Sequence, residues 1–152
     1  MNALEKKVRS RPPRKLWACP RCRARFTSRN QQHSCGTFDL ASLFARSSPE
    51  VRRLYRRFVK LVRRCGPVTI IPQKTRVAFQ VRMRFAAVTP GRSSLRGHLV
   101  LEAPQHAACF ERVDSLSPRS HVHVFRLRPG DELTSEFGRW VRAAYRVGGR
   151  SA

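Results

Sequence analysis

The sequence is short of acidic residues. It has 32 Lys and Arg against 9 Asp and Glu, a formal net charge of +23 over 152 residues. A bias toward GC-rich codons would explain arginine in place of lysine, but not the missing acids, because Asp and Glu also have GC-rich codons. Like charges at this density repel one another unless a polyanion or counterions relieve them. The charge therefore favours nucleic acid as the partner.

The sequence also lacks a long apolar run. No run approaches the roughly 18 residues that indicate a membrane helix, and no hydrophobic stretch follows the charged N-terminus, so we expect neither a membrane span nor a signal peptide. No basic amphipathic segment carries large exposed aromatics, so a membrane surface ranks behind nucleic acid as a partner. A cysteine cluster with metal-ligand spacing, together with the scattered Cys65 and Cys109, favours a reducing cytoplasm over a disulfide framework.

Recognisable catalytic groups are scarce. There is no glycine-rich phosphate loop and no Ser/His/Asp arrangement, and the pair Asp131 and Glu132 stands where a helix start would explain it. The best polar constellation consists of Lys74, Arg76, Arg82, Arg84, Arg119, His121 and His123. Its members form either the solvated face of a sheet, a pocket for an anion or nucleotide, or a site with a histidine acid/base. The sequence leaves enzymatic activity open and leans against it.

What the sequence does contain is a compact group of metal-ligand residues. Cys19 and Cys22 form a C-x-x-C pair, and His33 and Cys35 follow after ten intervening residues. Four such ligands match a tetrahedral structural zinc site. A unit over residues 17–36 cannot bury enough apolar surface to fold alone, so the metal would supply the missing free energy. We predict Zn²⁺ as its cofactor, with a reduced thiol cluster as the alternative.

The spacing of this unit departs from that of a C2H2 finger. Twelve residues separate Cys22 from Cys35, which stands where such a finger has its first histidine, and no second histidine follows at the usual distance. Phe26 is placed to pack against the metal site. The unit is basic, and its candidate phosphate contacts are Arg21, Arg23, Arg25 and Arg29.

A strongly amphipathic helix is predicted next, after a short helix capped by Thr37. Ser48 would cap it, with Pro49 and Glu50 in its first turn, and Gly66 would end it. Its apolar side chains fall on one arc of roughly 160° and its basic ones on the opposite arc of roughly 140°. The basic set is Arg52, Arg53, Arg56, Arg57, Lys60, Arg63 and Arg64. A solvated face normally mixes signs, so we expect these side chains to contact phosphates, with plain solvation as the alternative.

The remaining chain alternates in β periodicity and ends in a second amphipathic helix. The predicted strands are Val68–Ile71, Arg76–Val81, Met83–Ala87, Leu95–Glu102, Cys109–Val113 and Ser120–Arg128. The last helix is expected to open at 129–131 and end at 148–149. This pattern predicts an α+β fold, an antiparallel sheet flanked by two amphipathic helices with a small N-terminal zinc-binding unit. We divide the chain into a basic disordered tail over 1–16, the zinc-finger-like unit over 17–36 and an α+β domain over 37–150.

Several stretches together resemble a bacterial family of small proteins, that of domain of unknown function 5655. They are CPRCRARFTSRNQQHSC, PEVRRLYRRFVKLVRRCGPV, KTRVAFQVRMRFAAV, SPRSHVHVFRL and WVRAAYRVG, and they cover nearly the whole chain. The resemblance implies a zinc-finger-like head on an α+β domain, with no catalytic residues to carry over. Related domains appear beside restriction or defence components, which favours nucleic acid by association only.

Together these features predict a zinc-stabilised, strongly basic protein that binds DNA or RNA through phosphate contacts. Two alternatives stay open: an anion- or nucleotide-binding pocket on the α+β domain, enzymatic or not, and a regulatory module that binds an acidic protein.

Overall fold

The computed structural model describes residues 13–33, 35–36, 38–131 and 133–150. Most of the predicted tail, residues 1–12, therefore lies outside the described residues, as do Thr37 and Glu132. The short helix predicted after the N-terminal unit is present, and the cap it has in the structure is Asp39, whose carboxylate accepts hydrogen bonds from the backbone of the first turn.

Three helices and eight strands make up the described chain. The helices are α1 (Leu40–Leu43), α2 (Pro49–Cys65) and α3 (Ser135–Gly148). The strands are β1 (Trp17–Ala18), β2 (Arg25–Phe26), β3 (Thr69–Pro72), β4 (Val77–Gln80), β5 (Arg84–Pro90), β6 (Leu95–Leu101), β7 (Phe110–Ser117) and β8 (Ser120–Leu127). The predicted α+β class is confirmed, with a cluster of Cys and His ahead of the sheet.

Helix α2 begins and ends where its capping residues predict. The Ser48 side chain accepts a hydrogen bond from the Val51 N–H at 3.3 Å, which satisfies one of the free amides of the first turn. Gly66 ends the helix with φ of 145°, a backbone conformation that favours glycine. A Cβ at this position would also lie 2.5 Å from the Tyr145 hydroxyl. That hydroxyl donates to the Pro67 carbonyl at 2.8 Å, so glycine lets α3 hold the end of α2.

Helix α3 begins later than the predicted opening at 129–131. Gly130 has φ of 90°, and the Asp131 carboxylate accepts a hydrogen bond from the Arg128 N–H at 2.6 Å. These features form a turn, and its backbone conformation differs from that of a helix, so the helix does not start at 129–131. The helix starts instead behind Thr134, whose hydroxyl accepts from the N–H of Phe137 at 3.2 Å.

Strands β3 to β8 form one antiparallel sheet in the order β3-β4-β5-β6-β8-β7, which leaves β3 and β7 at its edges. Each predicted strand is present, although β7 continues to Ser117, beyond its predicted end at Val113. The register shifts between β4 and β5 at Phe79/Gln80, a bulge that locally turns the strand.

Both long helices pack against one face of the sheet, which we call the covered face. Phe58 of α2 lies at its centre, fully buried, with ring-centroid distances of 5.3 Å to Phe79, 5.8 Å to Phe125 and 6.3 Å to Phe137 of α3. Burying each such ring stabilises the fold by roughly 1.5–3 kcal/mol. The opposite, outer face carries the shorter side chains Ala78 and Ala87, which are paired across β4 and β5.

Candidate metal centre and nucleic-acid interface

A tight turn between β1 and β2 holds the C-x-x-C pair. Trp17 pairs with Phe26 across the two strands. The Cys19 N–H donates to the Ala24 carbonyl at 2.9 Å, and the Arg23 N–H donates to the Cys19 carbonyl at 2.8 Å. These bonds curl the backbone around the two thiols, so that both face the same point.

The four predicted ligands converge. The Cys19 and Cys35 sulfurs are 3.6 Å apart, and the His33 Nε2 lies 3.2 Å from the sulfurs of both Cys22 and Cys35. All four ligand atoms lie within 4.8 Å of one another. Tetrahedral zinc with ordinary bond lengths would set sulfur–sulfur separations of about 3.8 Å and sulfur–nitrogen separations of about 3.6 Å. The group could hold a metal ion, and its spacing suits a small tetrahedral one.

The surroundings of His33 prepare it as a ligand. Its Nδ1–H donates to the Gln31 carbonyl at 2.6 Å, which leaves Nε2 free to bind a metal and fixes the ring orientation. The same hydrogen bond raises the pKa of His33. The Phe26 ring lies 4.5 Å from the imidazole and is buried, as predicted for an aromatic that packs against the site.

The pKa values of two thiols in this group, Cys19 and Cys35, are shifted in opposite directions. The backbone N–H of Cys22 lowers the pKa of Cys19 to about 6. The hydrogen bond with Cys19 raises the pKa of Cys35 to about 11, so the Cys35 thiol keeps its proton near neutral pH. A metal bound by all the thiolates would take the place of that proton.

The sheet holds this unit through polar contacts on its outer face. The Gln80 Nε2 donates to the Arg25 carbonyl at 2.8 Å. Just ahead of the unit, the Arg14 carbonyl accepts a hydrogen bond at 2.6 Å from the guanidinium of Arg82, in the turn between β4 and β5. The Arg84 guanidinium lies 4.8 Å from the Phe26 ring centroid, a cation–π contact. Sequence reasoning missed the role of Gln80, although an amide inside an otherwise apolar strand was a signal for it.

The basic residues of α2 all point to solvent. All seven are exposed. Arg53 reaches Glu50 at 3.6 Å, and Arg52 donates to the Phe44 carbonyl at 3.0 Å. The other five, Arg56, Arg57, Lys60, Arg63 and Arg64, have no acidic partner among the residues that the structure describes.

The arginines of the N-terminal unit extend this charge across an edge of the sheet. Arg21, Arg23, Arg25 and Arg29 are exposed and form no ion pair within the described part of the chain. Edge strand β3 separates two grooves. One, of about 400 Å³, lies between the unit and the sheet and is lined by Arg23 and Arg25. The other, of about 680 Å³, lies between α2 and β3. Pro72 lines both, so the two basic groups flank the same strand.

The two candidate histidines of β8 are structural. His123 is fully buried on the covered face. Its Nδ1–H donates to the His121 carbonyl at 2.8 Å, and its Nε2 accepts from the Gln105 N–H at 2.9 Å. Burial lowers the pKa of His123, which keeps it neutral. His121 is bonded through its two nitrogens to the Ser115 hydroxyl at 2.8 Å and the Pro118 carbonyl at 3.2 Å.

The cations predicted to share a pocket with these histidines lie elsewhere. Arg84 is on the outer face, opposite Gln80, while the Arg119 guanidinium binds Glu102 through two nitrogens at 2.6 and 2.9 Å. Lys74 and Arg76 are exposed in the turn between β3 and β4. The candidate residues therefore do not converge on one anion pocket, because the sheet itself separates Arg84 from the histidines.

None of the helices in the described part of the chain is both long and apolar enough to cross a lipid bilayer. Fold and site together define a strongly basic α+β protein with a Cys₃His group that could hold a metal ion. Residues 40–148 match the family model described as "Domain of unknown function (DUF5655)", and the chain belongs to this family. A search of curated proteins and a search of solved structures gave no match.

The family match confirms the resemblance predicted for the domain. It begins with the first residue of α1 and ends with the last residue of α3. The Cys₃His unit lies outside the matched residues, so its contribution must be argued from its own geometry.

Proposed function

We propose that this protein binds nucleic acid, DNA or RNA, through the phosphates, and that Zn²⁺ stabilises its N-terminal unit. The observation that carries the proposal is the outer face of α2, where seven basic side chains are exposed and only Arg53 has an acidic partner among the described residues. The arginines of the N-terminal unit extend this surface past β3.

A polyanion is the partner that best relieves such a surface. Exposed cations that lack acidic neighbours repel one another. Each phosphate they contact releases condensed counterions, which gives an affinity that depends strongly on salt and little on sequence. Arginine suits this role, because its planar guanidinium can donate two parallel hydrogen bonds to one phosphate.

Zinc fits the donor set of the N-terminal unit. Three thiols and one imidazole, at Cys19, Cys22, His33 and Cys35, form a typical structural zinc set. Four protein ligands leave no open position for a substrate, so the metal would supply folding free energy. All five cysteines are free thiols, and a reducing cytoplasm suits both them and a zinc thiolate site.

The proposal is tested by reversing charge on α2. The triple variant Arg53→Glu, Arg56→Glu, Arg57→Glu should bind a labelled oligonucleotide more weakly. It should also reduce the slope of log K against log salt by roughly 3, since each lost phosphate contact removes about 1. Circular dichroism should show an unchanged fold, because all three side chains are exposed.

A matched control separates a local contact from net charge. The variant Arg96→Glu, Arg112→Glu, Arg128→Glu changes the net charge by the same amount at exposed positions outside α2. Its salt slope should stay close to that of the parent protein. Equal losses for both variants would mean that the α2 face is not the binding surface.

A further inference from the structure

We propose that the groove between α2 and β3 takes an unpaired base, so that the protein prefers single-stranded to double-stranded nucleic acid. The inference rests on the proposed nucleic-acid function and names its substrate class. We call this 680 Å³ cavity the helix groove.

The floor of the helix groove is apolar. It consists of Leu40, Tyr55, Val59, Ile70 and Pro72, contributed by α1, α2 and β3. Four of these five side chains are only partly buried, and Val59 is nearly fully buried. A surface that contacted phosphates alone would not need such a floor, whereas the flat, weakly polar face of a base gains from covering it.

The rim of the helix groove is wholly basic. Arg56, Lys60, Arg63 and Arg64 line it, all exposed and without an acidic partner in the described residues. Their positions along α2 span roughly 12 Å, at 1.5 Å for each residue. The rim therefore offers several cations along one side of an apolar slot.

Tyr55 is the fixed aromatic of the groove. Its ring centroid lies 4.6 Å from that of Phe44, and this packing holds the ring in place before a ligand arrives. Tyr55 lines the groove, and burial raises the pKa of its phenol, so the side chain stays neutral. A preorganised aromatic beside cations is the arrangement that proteins use for unpaired bases.

Single-stranded nucleic acid matches both halves of the groove at once. Its phosphates meet the rim while an unstacked base covers the floor. A duplex keeps its bases paired and stacked, so it can satisfy only the rim. An acidic peptide would satisfy the charge but lacks a regularly placed π face, and it serves as a competing outcome in the test.

The test compares three labelled probes of equal length by fluorescence anisotropy. They are a single-stranded DNA, the corresponding duplex and a single strand with abasic sites, which keeps the phosphates but lacks bases. We expect the intact strand to bind about 10- to 100-fold more tightly than the abasic strand. Tyr55→Leu should remove that preference, and Tyr55→Phe, which keeps the ring, should retain it.

The outcomes separate this inference from the proposed function. Equal, salt-dependent binding of all three probes would overturn the inference and leave phosphate binding intact. Failure to bind any probe at low salt would overturn both. A poly-glutamate peptide that displaces the intact strand from the parent protein but not from Tyr55→Leu would assign the groove to acidic peptides instead. Circular dichroism of the Tyr55 variants checks that each folds. If Tyr55→Leu does not fold, the comparison of the three probes on the parent protein and on Tyr55→Phe still tests the inference.

Discussion

The N-terminal unit and the α+β domain reach an ordered structure by different means. In the domain, Phe58, Phe79, Phe85 and Phe125 have no exposed surface. In the unit, the buried apolar side chains among the described residues are Cys19 and Phe26. Apolar burial can therefore stabilise the domain, whereas the unit has little of it, and under the proposed function a metal held by the Cys₃His group supplies the missing stability.

The N-terminal unit and the α+β domain also differ in their similarity to known proteins. The family match covers the domain and stops at the start of α1. The unit contacts the domain at Gln80 and Arg84, and Arg82 of the domain contacts Arg14, just ahead of the unit. We infer that the unit needs the metal for its ordered structure and that the domain folds without it. The predictions below test this difference.

Loss of the metal should have the largest effect. Structural zinc contributes roughly 10–16 kcal/mol of apparent binding free energy in small zinc-finger peptides, and Cys19→Ser removes a buried ligand. Metal content should fall well below one ion for each chain, and amide hydrogen exchange in residues 17–36 should become fast while α2 and α3 stay protected.

The matched control is Cys109→Ser, a thiol outside the metal group. It should keep its metal and its exchange pattern. If Cys19→Ser instead made amide hydrogen exchange in α2 and α3 fast, the domain would also depend on the metal, and the inferred difference between unit and domain would be wrong.

A core truncation should show the opposite pattern. Phe58→Ala leaves a cavity among three aromatic rings, and it should lower the free energy of unfolding by about 3–5 kcal/mol. Urea denaturation followed by circular dichroism measures the loss. Under native conditions the metal content should stay unchanged, and Leu116→Ala, at a side chain 71% exposed, should shift stability by no more than about 0.5 kcal/mol.

The pH dependence of the domain should trace to His98, a partly buried histidine on the outer face of the sheet. Burial lowers the pKa of His98 from 6.5 to about 4, while the unfolded chain keeps the ordinary value. As the pH falls from 6.5 to 4, the His98 imidazole is protonated in the unfolded state but stays neutral in the folded state, so the free energy of unfolding falls. The full loss from this group is about 3 kcal/mol.

His98→Leu, which has no proton to take up, should flatten this part of the profile in urea denaturation between pH 7 and 4. The lowered pKa of His123 acts in the same direction and should leave a residual slope. An unchanged profile in the variant would assign the acid sensitivity to other groups.

The smallest effect should come from the turn that holds the metal ligands. Arg23 has φ of 62°, a left-handed conformation that costs most residues about 1–2 kcal/mol. Arg23→Gly removes that cost. Glycine also raises the conformational entropy of the unfolded chain, which offsets part of the gain in stability. The variant should hold its metal about fivefold more tightly against a competing chelator.

Asn30→Gly is the control for this turn. Asn30 has φ of 55°, but asparagine tolerates this conformation, so the gain should be smaller. A larger gain at Asn30 than at Arg23 would mean that backbone strain at Arg23 does not limit metal binding.

Local signals predicted the parts of the fold that local interactions determine. Ser48 and Gly66 bounded α2 correctly, because caps act within one turn. Spacing predicted the Cys₃His group that could hold a metal ion, because its members lie close together in sequence. The start of α3 was placed too early, since the Asp131 hydrogen bond to Arg128 favours a turn there.

Contacts between distant parts of the chain could not be predicted. Alternation along β8 puts His121 and His123 on the same face of the strand, but it does not say whether the helices cover that face. That depends on pairing with Leu101 and Leu99 of β6. The bond from Gln80 to the N-terminal unit spans 55 residues of sequence. The same holds for the helix groove, which forms only when β3 folds beside α2.

The central claim, that the exposed cations of α2 and the N-terminal unit bind phosphates, is tested most directly by the salt dependence of oligonucleotide affinity. We predict that log K falls linearly and steeply with log salt, with a slope of magnitude close to the number of phosphates contacted. A flat response, or no binding at low salt, would contradict the claim.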